Sequence, residues 1–439
     1  MGNLVVGLGL WHEDVQRIMD GFAYGRNPSL REHETKRPDE LYWPSAVELQ
    51  VGSLDIFTAQ GTKRGPFEYD RFSQKACDEF FNFLDRSNTN SPHAPVTSGM
   101  LSDMLPIITT QAAVHRTLEW VRSKPYRGVH SSDAVYDRNQ RKVVACDLSD
   151  PDIGVHRISM WKYQGLMTLA KVVNATSFVM HPTPVDSCNG EWLGMSCMLE
   201  KRRERKSQFF ESLKELLTYH KDQGASFPLV IENLEFPKFP ATAEECMGFL
   251  EHASSLAADI GLPPGIIQVC FDLQHMRHSY KIINEPQNRR QYEARKDIEF
   301  LLPGFGNAHR AFAGTSYHED RQTAIRSDPP DIADLVLSNL GRAIGVVHLA
   351  GNYQSQRMDY IDETQGNIPY FSAGKKIAPK SLNVRRAMRM LLKHNLTAPI
   401  IIEDQTIGAM ISHLESAASV ERYIKEEESP MVSPKTIQR

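Results

Sequence analysis

The sequence predicts an α/β fold: a (β/α)8 TIM barrel with an N-terminal elaboration and a long insertion on its active face. Three observations lead there. Short apolar runs alternate with helical stretches along most of the chain. The runs are continuous rather than alternating, as in strands buried on both faces. Each run also stops on an acidic residue or a histidine: YRGVH at His130, TSFVMH at His181, FPLVIE at Glu232, IIQVCFD at Asp272, AIGVVH at His348 and APIIIE at Glu403. In such a barrel the strand C-termini form the active face.

The elements follow in order. VVGLGLW near residue 5 and AVELQVGSLDIF near residue 46 are strand candidates. Between them, residues 26–44 are rich in Pro, Arg and Glu and read as a loop. GLGLWH lacks the third glycine of a dinucleotide-binding GxGxxG turn. An aromatic-rich, helical segment over 66–100 runs into the loop SNTNSPHAPVTSG. Helix 111–123 then leads to strand 126–130, helix 158–173 to strand 176–181, and helix 198–222 to strand 228–232. Helix 242–260 stops at Gly261-Leu-Pro-Pro and is followed by strand 266–272. Helices 331–341 and 381–394 precede strands 343–348 and 399–403, and a last helix covers 409–426.

The strand ends lie 51 residues apart from 130 to 181 and from 181 to 232, and 40 apart from 232 to 272, but 76 apart from 272 to 348. The excess places an inserted lid or substrate wall at 276–335. Counted this way, the barrel occupies 46–425, preceded by an extension over 1–45 and followed by a flexible tail over 426–439. Completing it requires one more strand between 349 and 380, placed near 357–372.

At 439 residues the chain can bury a large core, and its 41% hydrophobic and 24% charged content fits a soluble enzyme. A net charge of -4 gives no bulk attraction to nucleic acid and is compatible with a small polar substrate. The six cysteines (77, 146, 188, 197, 246 and 270) show no CxxC spacing, which fits a reduced, cytoplasmic chain, with Cys270 a small buried hydrophobe. No run approaches the length of a membrane span.

Carboxylates supply hard anionic oxygens and imidazoles neutral nitrogens. That mixture suits one or two ions of Mn, Zn, Fe or Co better than a thiolate site would. Glu232, Asp272, His348 and Glu403 each end a buried strand, where an unpaired polar group is costly. His130 and His181 end two more, and the proline after His181 keeps its ring at the rim. His275 follows Asp272 in D-x-x-H, a spacing that returns the imidazole toward the carboxylate. Asp404 alternates away from Glu403 and reads as structural.

In order and spacing, HP at 181, EN at 232, FDLQH at 271–275, VHLAGN at 347–352 and PIIIE at 399–403 resemble the xylose-isomerase-like TIM barrels. That group includes sugar isomerases and epimerases and the endonuclease IV type of apurinic-site nuclease. In the epimerase branch the resemblance implies one divalent metal held by Glu232, Asp272, His348 and Glu403. The two glutamates would exchange a proton with substrate, and His275 would contact it. In the nuclease branch it implies a further metal on His130 and His181, bridged by Glu232. There a third metal would use His275 together with an Asp-x-His pair, but this chain reads RMDYIDETQGN, with Asp359 in the place of the aspartate and Ile361 in the place of the histidine. That departure counts against a trinuclear site and apurinic-site cleavage. The resulting expectation is a metal-dependent isomerase or epimerase; the alternatives are a two-metal phosphoesterase or hydrolase, and a metal-dependent lyase or oxygenase.

Overall fold

The computed structural model describes residues 4–11, 45–51, 119–131, 134–137, 142–145, 147–182, 195–234, 236, 238–273, 275–276, 279, 332–349, 371–372, 375–376, 388–389, 391–394, 396–402, 417–418 and 420–426. Eight parallel strands close into a barrel: β1 (Val6–Trp11), β2 (Ala46–Val51), β3 (Tyr126–Ser131), β6 (Ser177–Met180), β7 (Leu229–Glu232), β8 (Ile267–Asp272), β9 (Ile344–Leu349) and β12 (Ile400–Ile402). Two short antiparallel hairpins lie outside it: β4 (Ala134–Asp137) with β5 (Lys142–Ala145), and β10 (Phe371–Ser372) with β11 (Lys375–Lys376). The intervening helices include α1 (Ile153–Val172), α2 (Met195–Asp222), α3 (Ala243–Asp259) and α4 (Ile332–Leu340).

The expected strands from 126 to 348 and over 399–403, and the helices expected over 158–173, 198–222, 242–260 and 331–341, fall within a few residues of these bounds, with one correction; the helices expected over 381–394 and 409–426 lie largely outside the described residues. Among the described residues no strand between 349 and 380 joins the barrel, and β9 pairs directly with β12. The eighth strand is β1, which pairs with β2 on one side and β12 on the other. The barrel therefore begins inside the segment expected to be an extension. Phe371–Ser372 pairs only within its hairpin. Most of the expected lid and the tail beyond 426 lie outside the described residues.

Period-two alternation sorts each strand's side chains between two cores. Outward residues such as Val47, Leu49, Val129, Phe178, Ile231, Phe271 and Val347 pack with the helices in the larger apolar cluster. The inner cluster takes one buried residue from each of seven strands: Ala46, Tyr126, Val179, Val230, Cys270, Val346 and Ile401, with Val5, just before β1, packed against them. This ring plugs the barrel and forms the floor beneath the strand ends.

Helix ends are capped locally. Asp152 accepts from Gly154 and Val155 at the start of α1, and Thr242 accepts from Glu245 at the start of α3. Between β8 and β9 the register shifts at Val269/Cys270. Ile344 pairs with Val269, but Val346 pairs with Cys270, so Gly345 is the extra residue of a bulge. Glycine makes room there for Gln268: a Cβ would lie 2.1 Å from its Oε1 and 3.0 Å from its Cβ, so any side chain would push Gln268 aside.

Candidate metal centre

One alternation above the apolar ring, the chain changes character. Two residues on from Ala46, Val179, Val230, Cys270 and Val346 stand Glu48, His181, Glu232, Asp272 and His348. All five are buried, and His130 joins them from four residues beyond Tyr126. The same step from Ile401 arrives in sequence at Glu403, which lies outside the described residues.

Glu232, fully buried, is the hub. Its Oε2 lies 2.9 Å from His130 Nε2, 3.0 Å from His181 Nε2 and 3.4 Å from His348 Nδ1, and its Oε1 lies 3.3 Å from His275 Nδ1. His130 and His181 also approach each other, Nε2 to Nε2, at 3.1 Å. Two ring nitrogens and one oxygen thus form a triangle with sides of 2.9, 3.0 and 3.1 Å. Hydrogen bonds alone serve this triangle poorly, since two N–H groups aimed at one oxygen also confront each other. A cation suits it better: tetrahedral bonds of 2.0–2.1 Å put ligand atoms ~3.3 Å apart.

Asp272 and His275 form the adjoining part. Asp272 Oδ1 accepts the His275 backbone N–H at 2.7 Å, and Oδ2 lies 3.6 Å from His275 Nδ1. That Nδ1 also lies 3.2 Å from the Asn233 carbonyl. The Asn233 side chain donates to the Asp272 carbonyl and accepts from its N–H, both at 2.8 Å, tying the ends of β7 and β8 together. Tyr163 on α1 donates its hydroxyl to the His181 carbonyl at 2.6 Å, holding the end of β6.

Burial sets the protonation states. It pushes the His181 imidazole down to about 4, with Glu232 pulling the other way, so the ring is neutral near pH 7, the form that ligates metals. Burial alone would raise Glu232, but His181, His348 and His130 outweigh it and hold the carboxyl well below its ordinary range. Asp272 is raised by burial, with His275 acting against the rise and Glu232 adding to it. Burial also keeps the Cys270 thiol protonated. Its place in the inner apolar ring agrees with its reading as a small hydrophobe.

Three sets of donor atoms share Glu232 and could hold a metal ion: His130–His181–Glu232, Glu232–Asp272–His275 and Glu232–Cys270–His348. A fourth, Glu48–His130–His348, lies beside them. The structure thus brings together His130, His181, Glu232, Asp272, His275 and His348. Sequence reasoning missed Glu48 and Asn233 as part of this neighbourhood. Their only signals were a charged residue inside a strand candidate and the residue following Glu232.

Among the described residues, no helix is long and apolar enough to cross a membrane. No family model matches the chain, and no curated protein matches it. Solved structures do. A D-psicose 3-epimerase with D-tagatose from Clostridium cellulolyticum is 10% identical, covering 97% of this chain and 96% of that one, with a TM-score of 0.41. An L-ribulose 3-epimerase is 8% identical over 98% and 100% of the two chains, with a TM-score of 0.46. A D-tagatose 3-epimerase-like protein is 14% identical over 72% and 86%, with a TM-score of 0.40. Likeness at these values adds nothing to the barrel, whose strand order stands on its own.

Proposed function

We propose that this chain is a divalent-metal-dependent isomerase or epimerase that moves a proton on a small sugar-like carbonyl or polyol substrate. The observation supporting it most is Glu232, a buried carboxylate at the barrel mouth within 3.4 Å of four imidazoles. The donor set fits a cation on a second count. Glu232 Oε1 and Asp272 Oδ2 are buried without a hydrogen bond, an arrangement that is costly unless a positive charge meets them.

In this reading Glu232, Asp272 and His348 hold one ion, with Glu403 as the fourth ligand expected from sequence. A divalent ion there would polarise a substrate carbonyl and acidify the adjoining C–H. Glu232, kept ionised by its imidazoles, takes up the proton, and Glu403 acts as the partner acid. The His275 Nδ1 proton goes to the Asn233 carbonyl, which makes Nε2 an acceptor suited to a substrate hydroxyl.

A second reading, a two-metal phosphoesterase or other hydrolase, has its own support. His130 and His181 both meet Glu232 Oε2, a pair that a one-metal epimerase does not need.

One set of experiments tests both readings. Elemental analysis of protein purified without chelator should find Mn, Fe, Co or Zn; none found, and none taken up on dialysis, would sink the metal reading. Solvent deuterium should enter a substrate carbon in a panel of ketoses, keto-acids and inositols. E232Q and E403Q at saturating metal should each abolish that exchange. Product formed without exchange would count against proton transfer. Phosphodiester cleavage lost in H181A would promote the hydrolase.

A further inference from the structure

We infer that Glu48 is a positioning residue for this centre, orienting His348 through the ring nitrogen opposite the metal. The inference rests on the metal reading proposed above. The two nitrogens of His348 face two different carboxylates: Nε2 lies 2.9 Å from Glu48 Oε1, and Nδ1 lies 3.4 Å from Glu232 Oε2. All three side chains are fully buried. A ring placed this way can offer Nδ1 to an ion only if the proton sits on Nε2, and the negative charge of a carboxylate 2.9 Å from Nε2 favours that tautomer. Metal-bound histidines generally donate their other N–H to such a partner, which fixes the ring and raises its basicity.

The barrel is built to admit this carboxylate. Glu48 pairs across the ladder with Gly128, where a Cβ would come 2.8 Å from Glu48 Cγ and 3.0 Å from its Oε2. A side chain at 128 would therefore displace Glu48. Meanwhile neither Glu48 oxygen makes a hydrogen bond of good geometry. A carboxylate serving packing alone would be met by backbone N–H groups or a guanidinium. Glu48 instead adjoins His348 and, through the Glu48–His130–His348 grouping, the edge of the centre itself. Contact with His348 but no place among the donors that share Glu232 is the signature of a residue acting through a ligand.

The test is a Co²⁺ titration of chelator-stripped full-length protein, followed by visible absorption, for wild type, E48Q and E48D. E48Q should keep the wild-type number of bound ions while losing about 10–100-fold in affinity. Its absorption band should shift, and the melting temperature of the stripped protein should not fall. E48D, which retains the charge, should lie between the two. E48Q with wild-type affinity and spectrum would overturn the inference and leave the metal reading intact. So would E48D binding no better than E48Q. Loss of one whole ion in E48Q, with the remainder bound normally, would make Glu48 a direct ligand and also overturn it. Wild-type protein that takes up no Co²⁺ would instead sink the metal reading.

Discussion

Glu232 and Glu245 are both buried carboxylates, only thirteen positions apart, and their surroundings are opposites. Glu245 stands in the first turn of α3. Its Oε2 accepts from Arg202 Nη2 at 2.6 Å and from the Ala241 N–H at 2.7 Å, while its own N–H meets Thr242 Oγ1. Arg202 also donates to the Lys238 carbonyl and lies over the rings of Phe236 and Phe239. There, charge is matched by a fixed cation and by backbone donors. Among the described residues the ion-pairing partners of Glu232 are imidazoles, each as able to accept as to donate, and one of its oxygens has no hydrogen bond. Burial alone therefore does not mark a functional carboxylate. The kind of partner does: permanent donors close a site, and ambivalent ones leave it open to a cation.

The contrast can be broken most forcefully at its open end. E232Q should lower turnover by about 10²–10⁴-fold, the usual contribution of a positioned acid–base group. The metal-free variant should unfold in urea within ~1 kcal/mol of wild type, since it loses a buried charge rather than a packed one. A large loss of stability in metal-free E232Q would make Glu232 as structural as Glu245.

At the closed end the expectation reverses. R202A leaves Glu245 buried without its cation and should cost ~3–5 kcal/mol of unfolding free energy, with metal content unchanged. If R202A lost metal as readily as stability, the two regions would not be independent. T242A removes the cap of α3 and should cost ~1 kcal/mol in the same urea series.

The smallest effect is a slope. Asp147 is raised from 3.8 to about 6, chiefly by burial, with Ser149 and Arg205 working against it. A raised acid binds protons more readily in the folded than in the unfolded chain. The stability it contributes is full below pH 3.8 and is lost as pH rises through about 6. Urea melts of wild type and D147N between pH 4 and 7 should differ by that declining term. Parallel curves would mean that Arg205 neutralises the site throughout.

The strand ends were legible because a buried parallel strand is apolar along its length, so that a carboxylate or imidazole closing one stands out. His181, Glu232, Asp272 and His348 follow from that contrast, and the structure gathers them as the pattern implies. Glu48 was not legible for the inverse reason. In AVELQV it alternates with Val47 and Leu49, which is how a half-exposed strand reads. Only closure of the barrel turns its face inward. β1 escaped for a related reason. VGLGLW reads as a strand on its own, but nothing in it says which strands it pairs with, so it falls within the expected extension and the count is completed instead from 349–380. Barrel closure is a pairing between the first strand and the last, and it leaves no mark in either sequence.

The bulge at Gly345 gives the site an unusual dependence on counting. Past that residue, every side chain of β9 sits one step out of phase with where an unbroken ladder would put it. Deleting Gly345 alone would regularise the ladder and keep His348 opposite Asp272, whereas pairing Gly345 itself with Cys270 would turn His348 toward the helix layer and bring Val347 to the centre. A one-residue slip of register, rather than any exchange of side chains, is then enough for this barrel to lose its fourth imidazole.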